Sequence, residues 1–119
     1  MIELKIKQTI KNFNQLLNSK LVIEAISKSA DLIVKAFETN NKLLICGNGG
    51  SAGDAQHIAG EFLCRFYKDR KPMSAIALTT YTSVITSISN DYSFEKIFSR
   101  QIIGLGKKGD VLLWYKYKW

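Results

Sequence analysis

The chain has 119 residues, 46% of them hydrophobic and 23% charged, the profile of one soluble globular domain or part of one. No apolar run approaches the ~20 residues that span a bilayer, the first residues form no secretion signal, and two cysteines are too few for a disulfide framework. The formal charge of +7 is spread along the chain, with one local cluster at Arg65, Lys68, Arg70 and Lys71. Most of it reads as solvated helix surface, and a nucleic-acid partner ranks below an anionic small molecule. The default location is the cytoplasm.

The first 40 residues predict two helices. Ile6, Ile10, Phe13 and Leu17 recur on one helical face, and Val22, Ile26, Ile33 and Phe37 repeat the pattern. Asn18-Ser19 supplies the turn between them, and Asn40-Asn41 ends the second. The pair carries no chemistry-bearing constellation and suits packing, as a helical hairpin or an oligomer surface. Leu43-Leu44-Ile45-Cys46 is then a short continuous apolar run, the mark of a buried parallel strand, in which Cys46 acts as a small hydrophobe.

Gly47-Asn48-Gly49-Gly50 predicts a sharp turn, followed by a helix from Ser51 to about Phe66. Glycines there let backbone approach a ligand, and a helix start offers N–H groups to polar or anionic atoms. On glycines alone a plain tight turn is as good a reading. The spacing fits neither a P-loop nor a dinucleotide fingerprint. Ser51 is placed as N-cap with Asp54 as its capping-box partner.

His57 and Glu61 stand one turn apart on one face of that helix. Such a pair can share a metal, and the carboxylate can move a proton. On an arbitrary helix the same spacing is usually a surface pair. Here it lies two turns beyond the glycines, and His57 is the only histidine. The expectation is that both side chains face the cavity the glycines open. Cys64 falls on roughly the same face and is expected to be a buried, inert thiol rather than a third ligand.

Ala75 to Leu78 predicts a second strand, Thr82 to Ile88 a short helix, and Phe94 to Leu105 a longer one. Asn90-Asp91 is placed in the loop between those helices, where polar side chains commonly line a crevice. Gly106 to Asp110 is a turn, and Val111-Leu112-Leu113 a third strand. Alternation of strands and helices predicts an α/β fold with a parallel sheet.

Together, Cys46-Gly47-Asn48-Gly49-Gly50-Ser51, Asp54-Ala55, His57, Ala59, Glu61 and Arg65 resemble the SIS (sugar isomerase) fold, and within it the phosphoheptose isomerases. Ser89-Asn90-Asp91, Phe98-Ser99-Arg100-Gln101 and Gly109-Asp110-Val111-Leu112-Leu113 extend the resemblance. It implies a three-layer sandwich and interconversion of sedoheptulose 7-phosphate with D-glycero-D-manno-heptose 7-phosphate, toward nucleotide-activated heptose for surface glycans such as lipopolysaccharide or capsule. It further implies that Asn48, Gly49, Gly50, Ser51, Glu61, Asn90 and Asp91 touch the sugar phosphate. His57 and Glu61 would bind one zinc per subunit, and Glu61 would act as base. Family oligomers are tetramers with sites shared between subunits. A non-enzymatic SIS module, like the relatives that associate with the replication initiator DnaA, is the alternative; the His57/Glu61 pair favours the enzyme.

The resemblance stops after Leu113. The family continues into a phosphate-holding Gly-Ile-Ser-Thr-Ser-Gly loop and later supplies a glutamine and a second histidine. This chain instead reads Trp114-Tyr115-Lys116-Tyr117-Lys118-Trp119. Codons for that hexapeptide, read one base later, include Gly-Ile-Ser-Thr-Ser-Gly among their translations. The expected organisation is therefore helices over 1–40, the first βαβ units over 41–113, and an out-of-frame tail over 114–119 in a partial SIS domain. The expected consequences are an unpaired sheet edge, self-association and no isomerase turnover.

Overall fold

The structure, a computed structural model, describes residues 1–116. These fall into two compact units, the first Met1–Val34 and the second from Lys35 onward.

The first unit holds α1 (Ile2–Asn18) and most of α2 (Lys20–Glu38), as the apolar spacing predicts. They meet at Ser19, whose carbonyl accepts from the N–H groups of Val22 and Ile23. The apolar faces are not closed on one another: no residue of α1 is buried, and Ile10, Phe13 and Ile26 all stand exposed. Exposed stripes of this kind leave the pair without a self-sufficient hairpin core.

The second unit is the α/β body. Its strands are β1 (Leu43–Gly47), β2 (Ala75–Ala77) and β3 (Val111–Tyr115), in the order β2-β1-β3, all parallel. Its helices are α3 (Gly50–Leu63), α4 (Thr82–Asp91) and α5 (Ile97–Leu105), the last preceded by a 3-10 turn at Phe94–Lys96. Every residue of β1 is buried, as a central parallel strand demands. Side chains alternate across a strand. Leu44 and Cys46 accordingly pack with Leu78, Ile76, Phe98 and Ile102 on the α5 face. Leu43, Ile45 and Gly47 take the opposite face, where α3 lies with Ala55 and Ala59 buried. The result is the three-layer arrangement implied by the resemblance.

Three boundaries differ from expectation. α3 ends at Leu63, not Phe66, and Cys64 is exposed instead of buried. α4 runs on through Asn90 and Asp91, which are its last turn and not a loop. β3 continues past Leu113 through Trp114 and Tyr115, which align with Cys46 and Gly47. Two residues of the expected tail thus belong to the sheet; of the rest, Lys116 is described, and Tyr117, Lys118 and Trp119 lie outside the described residues. Trp and Tyr are good strand formers, so local propensity and an available partner edge agree. The register puts Leu112 and Trp114 on the α5 face, yet both remain exposed on this outer strand.

The sheet is clasped at the end where its strands begin. Asp110 accepts hydrogen bonds from the N–H of Lys42 (2.9 Å) and of Lys107 (2.8 Å), and pairs with the Lys42 ammonium at 2.6 Å. The Asp110 side chain is only 5% exposed. Burial alone would raise its pKa, but the Lys42 ammonium and the two backbone donors outweigh it and hold the carboxyl below its ordinary value.

Candidate functional site

From β1 the chain crosses through α3 to β2 on one side, then returns through α4 and α5 to β3 on the other. The gap between the ends of β1 and β3 is therefore a topological switch point, where open α/β sheets bind their ligands. A concavity of about 400 Å³ lies there, lined by Asn48, Gly49, Gly50, Ser51, Trp114, Tyr115 and Lys116.

Two of the glycines are required, each for its own reason. A Cβ on Gly47 would stand 2.6 Å from the Ser51 Cβ and 3.0 Å from its carbonyl oxygen, so only glycine lets α3 start against the sheet. Gly49 has φ 60° and ψ −125°, a conformation that side chains disfavour. Gly49, not Ser51, is the N-cap, and no side chain caps this helix. The expected Ser51–Asp54 capping box is therefore absent: Ser51 sits inside the first turn, where its side chain cannot reach back as a cap.

Ser51 does something else. It is 1% exposed and its Oγ has no hydrogen-bond partner. A buried hydroxyl left unpaired costs about 1–3 kcal/mol. The group stands at the head of a helix, among the residues that line the concavity. Around it, the Thr79 hydroxyl meets the Ala52 carbonyl and the Gln56 amide, each at 3.4 Å. The buried Gln101 amide donates to the Leu78 and Ile97 carbonyls, both at 2.9 Å, fixing the end of β2.

His57 Nε2 and Glu61 Oε1 approach to 3.4 Å, confirming the one-face placement. They do not share the glycine concavity. The pair opens onto a separate, mainly apolar one of about 480 Å³, with Ile58, Phe62, Phe66, Arg70 and Met73. The reason is helical phase. Ser51, Ala55 and Ala59 form the buried stripe of α3. At about 100° per residue, His57 lies about 200° beyond Ala55, away from the sheet. The small-residue stripe was readable in the sequence and would have shown this. Asn90 and Asp91 are exposed on α4, bonded to each other at 2.8 Å, and line neither concavity.

Arg70 has a role the charge pattern did not reveal. Its guanidinium donates to the carbonyls of Glu61 (2.8 Å) and Phe62 (2.9 Å), closing the C-terminal turn of α3, and lies over the Phe62 ring. It belongs to the helix end, not to a free basic patch. The two cysteines divide as burial dictates: Cys46 is enclosed, and desolvation pushes its thiol pKa up, away from reactivity.

The sequence profile of the SIS domain matches residues 8–116. The chain belongs to the SIS domain family. Its SIS fold is also that of two solved phosphoheptose isomerases. The one from Neisseria gonorrhoeae superposes with a TM-score of 0.80 at 34% identity, over 99% of this chain and 62% of that one. The one from Francisella tularensis gives 0.90 at 34% identity, over 98% and 60%. Among curated SIS relatives, the phosphoheptose isomerase of Clostridium acetobutylicum is 49% identical over 112 residues, 94% of this chain and 57% of the relative. That of Shewanella sediminis is 56% identical over 95 residues, 80% of this chain and 48% of the relative. The chain spans about half the length of the curated relatives it matches.

Proposed function

We propose that this chain supplies the sugar-binding turn and the proton-moving pair of a phosphoheptose isomerase, acting in the cytoplasm on sedoheptulose 7-phosphate to give D-glycero-D-manno-heptose 7-phosphate. The observation that carries it is the buried, unpartnered Ser51 hydroxyl at the start of α3, in a concavity at the switch point of the sheet. The relatives' names point the same way. Asn48 and the backbone of Gly49 and Gly50 would meet sugar hydroxyls, with Asn90 and Asp91 as further sugar contacts. Ketose–aldose exchange removes a proton beside a carbonyl through an enediol, and Glu61 is the carboxylate available to move it.

His57 and Glu61 lie in a separate concavity from the turn. A site using both draws the pair from a second copy of the chain, and the exposed apolar stripes of α1 and α2 suit such assembly, up to the tetramer of the family. His57 and Glu61 also do not fit zinc by themselves. Among the described residues no group of three or more His, Cys, Asp or Glu side chains could hold a metal, and zinc takes three or four protein ligands. No step is therefore routed through zinc. Zinc affinity of the monomeric chain, titrated against a chromophoric chelator, is expected to be no tighter than micromolar; nanomolar binding would show a donor set beyond this pair.

The test is a titration followed by amide NMR. Sedoheptulose 7-phosphate is expected to shift the signals of Gly49, Gly50 and Ser51, and Ser51→Ala to weaken binding by about tenfold. The monomeric chain is expected to form no aldose, because its glycine turn and its His57/Glu61 pair open onto separate concavities. Unmoved turn signals at millimolar sugar phosphate would refute the assignment. Turnover by the monomer would refute the shared site.

A further inference from the structure

Resting on that sugar-phosphate assignment, we propose that Lys116 recognises the charged end of the ligand, with the Trp114 indole as the wall beside it. The family profile reaches Lys116, but neither residue is among those on which the sequence resemblance rests. Both line the switch-point concavity with Asn48, Gly49, Gly50 and Ser51. Among the described residues that line it, Lys116 is the only cation, and none is a carboxylate.

The placement follows from the length of β3. The strand pairs with β1 as far as Tyr115 opposite Gly47, so Lys116 emerges at the crest of the sheet, level with the glycine turn. Its ammonium stands 5.7 Å from the Trp114 ring centroid, a cation–π contact that keeps a flexible side chain near the strand end. Trp114 is 58% exposed although it lies on an apolar face. A sugar carries C–H groups that pack on an indole, and its phosphoryl group carries about −1.5 to −2 charges near neutral pH. One wall thus offers a point charge and a flat apolar surface. The opposite wall offers the positive end of α3 and the orphan Ser51 hydroxyl. A ligand bearing both an anion and hydroxyls satisfies both walls; a neutral sugar leaves Lys116 unmatched, and a bare anion leaves the indole uncovered.

Isothermal titration of the whole chain with sedoheptulose 7-phosphate, sedoheptulose and inorganic phosphate tests this. Lys116→Met is the variant. Lys108→Met, at the other end of β3, removes the same charge away from the concavity. Lys116→Met is expected to weaken binding of sedoheptulose 7-phosphate and of phosphate by about tenfold, with Lys108→Met unchanged. Neutral sedoheptulose is expected to bind weakly and equally to all three proteins. If Lys116→Met binds the sugar phosphate as the parent does, the Lys116 assignment is wrong while the isomerase assignment stands. If phosphate binding depends on Lys116 but the heptose moiety adds nothing, Lys116 stands and the heptose assignment falls. If the parent chain binds neither anion, Lys116 has no such role.

Discussion

Asp110→Ala is expected to destabilise the α/β body by about 3 kcal/mol, the scale of a broken buried ion pair. The substitution strands the Lys42 ammonium, whose side chain is only 15% exposed, and removes the acceptor from the N–H groups of Lys42 and Lys107. It also cuts the link between the start of β1 and the start of β3. Urea unfolding followed by circular dichroism reads the loss. Replacing both partners, Lys42→Met with Asp110→Leu, is expected to be milder than Asp110→Ala, because no charge is then left unpaired. A single substitution costing under about 1 kcal/mol would mean that the clasp is solvated rather than structural. The pH dependence follows from the direction of the shift. The folded carboxyl titrates below its unfolded value, so its contribution is complete above the ordinary aspartate pKa of about 3.9. It is lost as pH falls from there through the lower folded value. Asp110→Asn is expected to flatten that part of the stability profile and leave neutral-pH behaviour above it unchanged in slope.

Gly47→Ala is expected to act on stability and binding together. The added methyl meets the Cβ, carbonyl carbon and carbonyl oxygen of Ser51 at 2.6, 3.1 and 3.0 Å, atoms of a helix that cannot rotate aside as a side-chain tip would. Either α3 lifts from β1 or β1 bends, at a cost of about 1–3 kcal/mol. Because the first turn of α3 carries Ser51 and follows Gly49, the same shift displaces the walls of the switch-point concavity. Loss of sugar-phosphate binding larger than that in Ser51→Ala is the expected result. Gly53→Ala is the matched control: a Cβ there meets nothing within 4 Å, and alanine favours the helix. If Gly47→Ala is as stable as the parent and binds equally well, the close approach of α3 to the sheet is not what shapes the site.

Much of this architecture could be read residue by residue. The apolar run at Leu43 announced a buried strand because both faces of β1 are covered, and it is indeed buried throughout. The glycines at 47, 49 and 50 announced a turn, and two of them are required there: Gly47 by the close approach of Ser51 and Gly49 by its φ of 60°. What escaped was relational. Spacing put His57 and Glu61 on one face of α3, correctly, but not on which side of the sheet crest that face would lie. Ser51 looked like a cap because serine caps helices, whereas the N-cap is Gly49, two residues earlier. Arg70 looked like one charge of a cluster, and its use as a clamp on α3 depends on the path of the following segment. Trp114 and Tyr115 looked like the start of an out-of-frame tail, and they extend β3 because β1 offers them an unfilled edge.

The sequence by itself determined the elements: two amphipathic helices, a strand, a glycine turn, a helix bearing an imidazole and a carboxylate, and two further strands. Each is set by contacts within a few residues, through periodicity, glycine freedom and side-chain size. Only the tertiary structure decided that β1 lies between β2 and β3, and so that the turn opens beside Trp114 and Lys116 rather than beside His57 and Glu61. That outcome depends on which edge each crossover reaches and how α3 is rotated about its axis. Both are fixed by burial of Leu43, Ile45, Ala55 and Ala59 between layers, an interaction among segments that no local pattern contains.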